Sequence, residues 1–458
     1  MKLLSLRLTT LKSKLYAIVF ASIVVRVIGF FLLPNQPTVA LAPDEGGYAE
    51  LGKLVASGQP TTSHGGLYKI SRSLVLPASL LNKVGIESIS SVRIIASIYG
   101  ALSLMLVAFI ILKTANKYQQ FKELTSKRNI IIIGLFGVYA LLPSHLLWSM
   151  LGLRESSMEF WVLCALASVH SAIYLQERLS LLVAFSLIIS VTLLFNTRPQ
   201  VAWVLGVTIL IFLLIRLRSR VARLLIPITF IALGLGYASV TIQNQDVFGL
   251  SAVDGSAVDG SACQKSGEKI IIKEIGYICK KIGTKTDLSG LQNPGQLLVD
   301  QTEALPDRHK GNQVAAASAI QTLFCPITEE SKLDKYLCIA WRAPYMAATF
   351  LFRPLIGVDV TSTSSLFAAL ENIAWLGTFI FIVMMLIKKR RLAFFGPLTP
   401  SLIFFTLYCV GAGSYEGNMG TAFRHKSLIL WVVLLLVGSV IAAEKKTNSG
   451  NERHQKAV

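Results

Sequence analysis

Two adjacent carboxylates, Asp44 and Glu45, follow Pro43 and are the first acids of the chain. A proline at the first helical position and acids in the first turn mark a helix start, where unsatisfied N–H groups favour negative charge. Tyr48, Leu51, Leu54 and Val55 recur behind them at helical spacing. The spacing predicts a short amphipathic helix that holds the acids at a surface. A carboxylate there can take the proton of an acceptor hydroxyl, or hold a divalent metal that orients a phosphate. Plain N-terminal helix charges on a solvated loop account for the same pair.

A second group is basic. Lys69, Arg72, Arg154, Arg198, Arg353 and Arg424 lie near the ends of apolar runs. On the topology set out below they face outward, against the usual bias of positive charge toward the cytoplasm. A phosphate or diphosphate group would account for them, because guanidinium binds phosphate oxygens bidentately. Taken singly, each could instead pair with a nearby acid or snorkel to headgroups, and Glu155 stands directly beside Arg154. The third feature is the polar stretch 415–425, where Asn418, Arg424 and His425 could contact a sugar or phosphate. Histidine in such a loop is more often a surface residue than a catalyst.

The elements that must position these groups follow from composition. The chain has 458 residues, 53% hydrophobic and 15% charged, with mean hydropathy +0.60. Soluble proteins carry roughly 25% charge. The deficit and the long apolar runs predict an all-α polytopic membrane protein. Ten spans are expected, at about 15–33, 92–112, 130–147, 160–174, 181–195, 201–215, 224–240, 366–387, 395–410 and 428–443. Basic clusters at 113–128, 216–223 and 388–391 fall on one side if the spans alternate. That side is the cytoplasm, which puts both termini there. The net charge of +19 is thus explained by topology and anionic lipid rather than nucleic acid. Ala40-Leu41-Ala42 has the form of a signal-peptidase site, but the preceding run is long and contains Arg26, so the first span is expected to be retained.

The outer loop 34–91 carries the acids, and its second half, 74–86, suits an interfacial helix. Residues 243–365 form a long polar segment, followed by the C-terminal spans 366–443 and a polar tail, 444–458. Within the long segment Ser-Ala-Val-Asp-Gly occurs twice, at 251–255 and 256–260, a turn-forming spacer rather than a calcium loop. It also holds Cys263, Cys279, Cys325 and Cys338. In an oxidising compartment four cysteines without a CxxC spacing point to two disulfides, with three pairings open.

Asp44-Glu45-x-x-Tyr48-Ala49-Glu50, in an outer loop after one span, resembles the GT-C superfamily of membrane glycosyltransferases. It is most similar to the branch of the lipid A aminoarabinose transferases and protein O-mannosyltransferases. The resemblance covers residues 1–242, a seven-span module with an acidic first outer loop and interfacial helices. It departs from the pattern at Gly46-Gly47, and the C-terminal half has no counterpart in it. The resemblance implies transfer of a sugar from a polyprenyl-phosphate donor to a lipid, glycan or protein acceptor on the outer face of a bacterial inner membrane. It makes Asp44 the acid that orients or deprotonates the acceptor, and Glu45 its neighbour or a metal ligand. The outward basic residues then hold the donor phosphate, and Tyr48, Asn418 and His425 contact substrate. A polymerase or ligase acting on a diphosphate-linked surface glycan would use the same arginines. A transporter would need ionisable residues deep in several spans, and only Arg26 and Glu371 stand out. A structural subunit would tolerate loss of every one of these charges.

Overall fold

The computed structural model describes residues 2–33, 43–59, 71–117, 126–176, 179–253, 347–356, 363–389, 399–415 and 423–432, with a few isolated positions besides. Among them regular structure is helical throughout, with no strand. This is what a hydrocarbon environment requires, because a helix satisfies its backbone polar groups within its own segment.

Helix α1 spans Lys2–Leu32 and α2 spans Pro43–Ala56. Helix α3, Arg72–Lys83, and α4, Ser88–Lys117, follow. Glu87 starts α4 by accepting the backbone N–H groups of Ile89 and Ser90 at 3.0 and 2.9 Å. The expected third span is broken. Leu142-Pro143 divides it into α5, Ser126–Leu141, and α6, Pro143–Met150, which meet at 42°. Proline has no N–H to donate and clashes with the preceding turn, so the helix restarts there. Helix α7, Glu155–His170, ends in a π-helical turn, Ser171–Gln176. Helix α8 is Leu181–Phe195 and α9 is Pro199–Ile215. Helix α10, Arg220–Val253, runs past the end of its apolar stretch. After the segment 254–340, outside the described residues, come α11, Thr363–Lys389, α12, Thr399–Tyr415, and α13, described over residues 423–432.

Four helical stretches are long and apolar enough to cross a membrane: Leu11–Leu32, Ser88–Lys113, Glu155–Tyr174 and Arg220–Ser239. The bent pair α5–α6 makes a fifth. Leu181–Phe195, Pro199–Ile215, Leu366–Ile380 and Thr399–Gly413 are apolar but shorter. A helix of 15 residues reaches about 22 Å, less than the ~30 Å of a hydrocarbon core. The chain is thus a helical membrane protein with four to five full-length spans among its described residues. The rest of the tenth expected span, the four loop cysteines, Lys69 and Asn418 lie outside the described residues.

Two apolar clusters order the helices. The larger joins α1, α4, α5 and α7–α13 through buried residues such as Leu163, Leu205, Phe212, Trp375, Phe404 and Trp431. The smaller joins α2 and α3 to the start of α4 through Tyr48, Leu51, Leu74, Val75 and Val92. Leu33 packs on this second cluster, so the end of α1 is fastened to it. Gly152 lies against Val92 so closely that an added Cβ would fall 2.4 Å from Val92 Cγ2.

Arg26 is buried inside α1, yet it is not isolated. Its Nε donates to Ser149 Oγ at 2.9 Å, and its Nη2 lies 3.1 Å from His145 Nδ1. His145 Nε2 is 3.4 Å from Glu159 Oε2, and the Tyr139 hydroxyl donates to Glu159. Glu371 of α11 accepts from Ser144 Oγ at 2.6 Å. Charges inside a span need such partners, and here they tie α1, α5, α6, α7 and α11 together.

Candidate active site

Asp44 is the second residue of α2, directly after the proline that opens the helix. Its carboxylate is 39% exposed and lies 3.2 Å from Arg424 Nη2. Glu45, one residue on, points elsewhere. It is fully buried and accepts Arg93 Nε at 2.6 Å and Arg93 Nη2 at 3.1 Å. Gly152 N–H donates to the same carboxylate at 3.1 Å. Successive residues on a helix lie about 100° apart, so adjacent acids cannot share one face. This corrects the pairing expected from sequence: Glu45 faces the Arg93 guanidinium, and only Asp44 faces the open site.

Arg424 bridges two acids. Its Nε is 2.9 Å from Glu155 Oε1, the first residue of α7. That N–H is not aimed for a hydrogen bond, so the contact is ionic and leaves the buried carboxylate with acceptor capacity. His425 Nε2 lies 3.5 Å from the same oxygen and also meets Arg198 Nη1. One ring nitrogen serves one of these neighbours at a time, and protonation decides which. Glu155 thus meets Arg424 and His425, and its neighbour Arg154 also lies within electrostatic reach of it. Glu155 and His425 are buried, whereas Arg424 stays partly exposed beside Asp44.

Burial raises the Tyr48 phenol above its usual range, against the pull of Arg154; Glu155 and Asp44 add to the rise. Tyr48 is therefore a neutral donor rather than a base. For Arg424 burial works against the charge, but Glu155, Asp44 and Tyr48 outweigh it, so the guanidinium is held charged more firmly than usual.

A set of hydroxyls fixes the frame. Ser73 Oγ, in the first turn of α3, lies 3.0 Å from Ser157 Oγ and 2.5 Å from Thr197 Oγ1. Tyr99 Oη donates to the Ser73 carbonyl at 2.8 Å. The loop that carries Asp44 is thereby clamped to the turns that carry Glu155 and Arg198. Arg72 opens α3 beside this clamp. Arg353 enters through its backbone, since its carbonyl accepts Lys426 Nζ. Lys426 also donates to Asn372 Oδ1 at 2.9 Å, so the residue after His425 is anchored to α11.

The structure therefore unites Asp44, Tyr48, Glu155, Arg198, Arg424 and His425 from α2, α7, the α8–α9 turn and α13. Arg154 acts on Tyr48 from the start of α7. Arg93, Ser73 and Thr197 were not singled out in the sequence, because nothing local marks a serine or an intrahelical arginine as a partner for another loop. No three His, Cys, Asp or Glu side chains gather as metal ligands among the described residues. Comparison of the chain with protein-family models, with curated proteins and with solved structures finds no match.

Proposed function

We propose that the protein is a membrane glycosyltransferase that moves a sugar from a polyprenyl-phosphate donor to an acceptor in the cell envelope. The observation that carries this reading is the division of labour at Asp44. One partly exposed carboxylate stands at a helix N-terminus, with the Arg424 guanidinium beside it and Arg198 gathered there through His425. A sugar-phosphate bond breaking there releases negative charge, and the guanidinium groups stabilise the leaving phosphate. Asp44 orients the acceptor hydroxyl and takes its proton as the glycosidic bond forms. Arg424 stands between Asp44 and Glu155 and holds both carboxylates in place. Tyr48 donates from the side.

The proposal includes the ten-span topology with both termini in the cytoplasm and the site on the outer face of a bacterial inner membrane. Its support is that four segments expected outside on charge bias alone meet at this one place: 34–91, 149–157, 196–200 and 411–426. The arginine–histidine group also suits a polymerase or ligase acting on a diphosphate-linked glycan. The two readings part at Asp44, which only the first requires.

The test uses a strain lacking the gene, complemented with wild type, Asp44→Asn or Arg424→Lys at equal membrane levels. Surface glycans are compared by mass spectrometry. The transferase reading expects the loss of one sugar unit in the deletion strain and with Asp44→Asn. Full restoration by Asp44→Asn together with failure of Arg424→Lys would move the assignment to the polymerase or ligase.

A further inference from the structure

Helix α5 ends at Leu141 and α6 begins at Pro143. A break inside a span releases two backbone groups that a continuous helix would pair, the Ala140 carbonyl and the Ser144 N–H. Neither is left to hydrocarbon. The Ser22 hydroxyl of α1 donates to the Ala140 carbonyl at 2.8 Å. The Ser144 N–H and hydroxyl both turn to Glu371 of α11, the hydroxyl at 2.6 Å. In membrane proteins such broken helices recur where ions and protons bind.

His145 stands in the first turn of α6, between Arg26 and Glu159, and all three are buried. A guanidinium has only N–H groups to offer, so His145 Nδ1, 3.1 Å from Arg26 Nη2, accepts. The ring proton is then on Nε2, which faces Glu159 Oε2 at 3.4 Å. Tyr139 of α5 packs on the ring with centres 4.6 Å apart and gives its hydroxyl to Glu159. From α4, Ser97 donates to the Ser149 carbonyl, while Arg93 and Tyr99 are turned to Glu45 and to the Ser73 carbonyl. Glu371 is engaged by Ser144 and Trp375, with Lys426 as its charge neighbour. One arginine and one carboxylate thus flank a neutral imidazole. The ring position open to a further proton is the one that Arg26 uses.

We propose that this cluster is an intramembrane proton-binding site, which takes one proton at His145 Nδ1 and in doing so releases Arg26. The proton adds to the ring lone pair, and only hydrogen bonds change. The imidazolium keeps Glu159 as its counter-ion, so the new charge stays paired inside the span. Arg26 keeps Ser22 and Ser149 but loses the contact that joins α1 to the ring. Room for the guanidinium to withdraw is present, because Arg26 also lines an apolar cavity of about 430 Å³ between α1 and α4. Acid therefore competes with Arg26 for Nδ1, and the hold of α1 on α6 becomes sensitive to pH. The cluster borders the candidate site twice. Glu159 is one turn, about 6 Å, along α7 from Glu155. Glu371 precedes Asn372, which holds Lys426 next to His425. The inference stands independently of the glycosyltransferase reading.

The experiment uses the full-length protein in nanodiscs, with histidine isotope-labelled on its ring nitrogens. Ring-nitrogen NMR shifts distinguish the two neutral tautomers from the imidazolium. The signals missing from His145→Gln belong to His145, and Glu159→Gln, which moves the signals of the ring it faces, makes the assignment if the first variant does not fold. The expected result is the Nε2–H tautomer at pH 8 and the imidazolium at pH 5, the range over which histidine ordinarily changes charge. Glu159→Gln removes the counter-ion and is expected to leave the ring neutral at pH 5. Thermal midpoints read the Arg26 contact. Gln at position 145 keeps an acceptor for Arg26 but takes no proton, so the wild-type midpoint is expected to fall by a few degrees relative to that of His145→Gln between pH 8 and pH 5. A wild-type ring still neutral at pH 5, a proton on Nδ1 at pH 8, an imidazolium that persists in Glu159→Gln, or midpoints that fall in parallel would overturn the proposal.

Discussion

Arg93 grips both oxygens of Glu45, at 2.6 and 3.1 Å, in a pocket closed to solvent. The pair ties α2 to α4 directly behind Asp44 and so sets the angle at which Asp44 meets the site. Removing one partner leaves the other charged and buried, which costs about 3–5 kcal/mol. Arg93→Ala is therefore expected to lower the thermal midpoint and the membrane level of the protein. Glu45→Gln keeps hydrogen-bonding atoms and is expected to cost less. Fluorescence-detected size-exclusion after heating reads both, and Asp44→Asn should leave the midpoint within error of wild type.

Arg26→Leu is expected to be more damaging than its single charge suggests. It strands His145 and Glu159 in the span interior, where α1 meets α5, α6 and α7. Adding Glu159→Gln should recover part of the loss, because the two residues share one network. A thermal-shift cycle over the two single variants and the double variant measures the coupling. Simple additivity would contradict the network.

Ser73→Ala is expected to lower activity more than stability. Each hydrogen bond contributes on the order of 1 kcal/mol, so the fold should tolerate the change. The turns that hold Glu155 and Arg198 would lose their common anchor, and a small displacement near a reacting centre costs on the order of a hundredfold in rate. Initial rates alongside thermal midpoints separate the two effects. Ser73→Thr, which keeps the hydroxyl, should restore much of the rate.

Arg198→Lys and Arg424→Lys keep the charge but lose the planar fork. If these arginines hold phosphate, each should weaken donor binding about tenfold or more, with the larger loss at Arg424, which also holds Asp44 and Glu155. Donor titration in nanodiscs gives the affinities.

The acids and the arginines were legible in the sequence because they stand out locally. Asp44-Glu45 is the first negative charge in the chain, and Arg198 and Arg424 lie at the ends of apolar runs, away from the basic clusters. Their convergence was not legible, since Arg198 and Arg424 are separated by more than two hundred residues and meet only through helix packing. The split between Asp44 and Glu45 depends on which helix face meets α4, which periodicity alone left open. Helix lengths were read short for α4 and α10, because hydropathy reports the apolar stretch and a helix continues as long as its backbone bonds do. The 42° break at Pro143 was not read from the sequence, where 130–147 passed as one apolar span.

The central claim is that Asp44 acts on the acceptor while the arginines hold the donor. Right-side-out membrane vesicles loaded with a radiolabelled polyprenyl-phosphate sugar test it, by following label from the lipid fraction into the envelope acceptor. The account predicts that Asp44→Asn binds the labelled donor as wild type does but transfers its sugar at least about a hundredfold more slowly, the usual scale of a lost general base. Transfer at the wild-type rate by Asp44→Asn, in protein with unchanged level and midpoint, would contradict it.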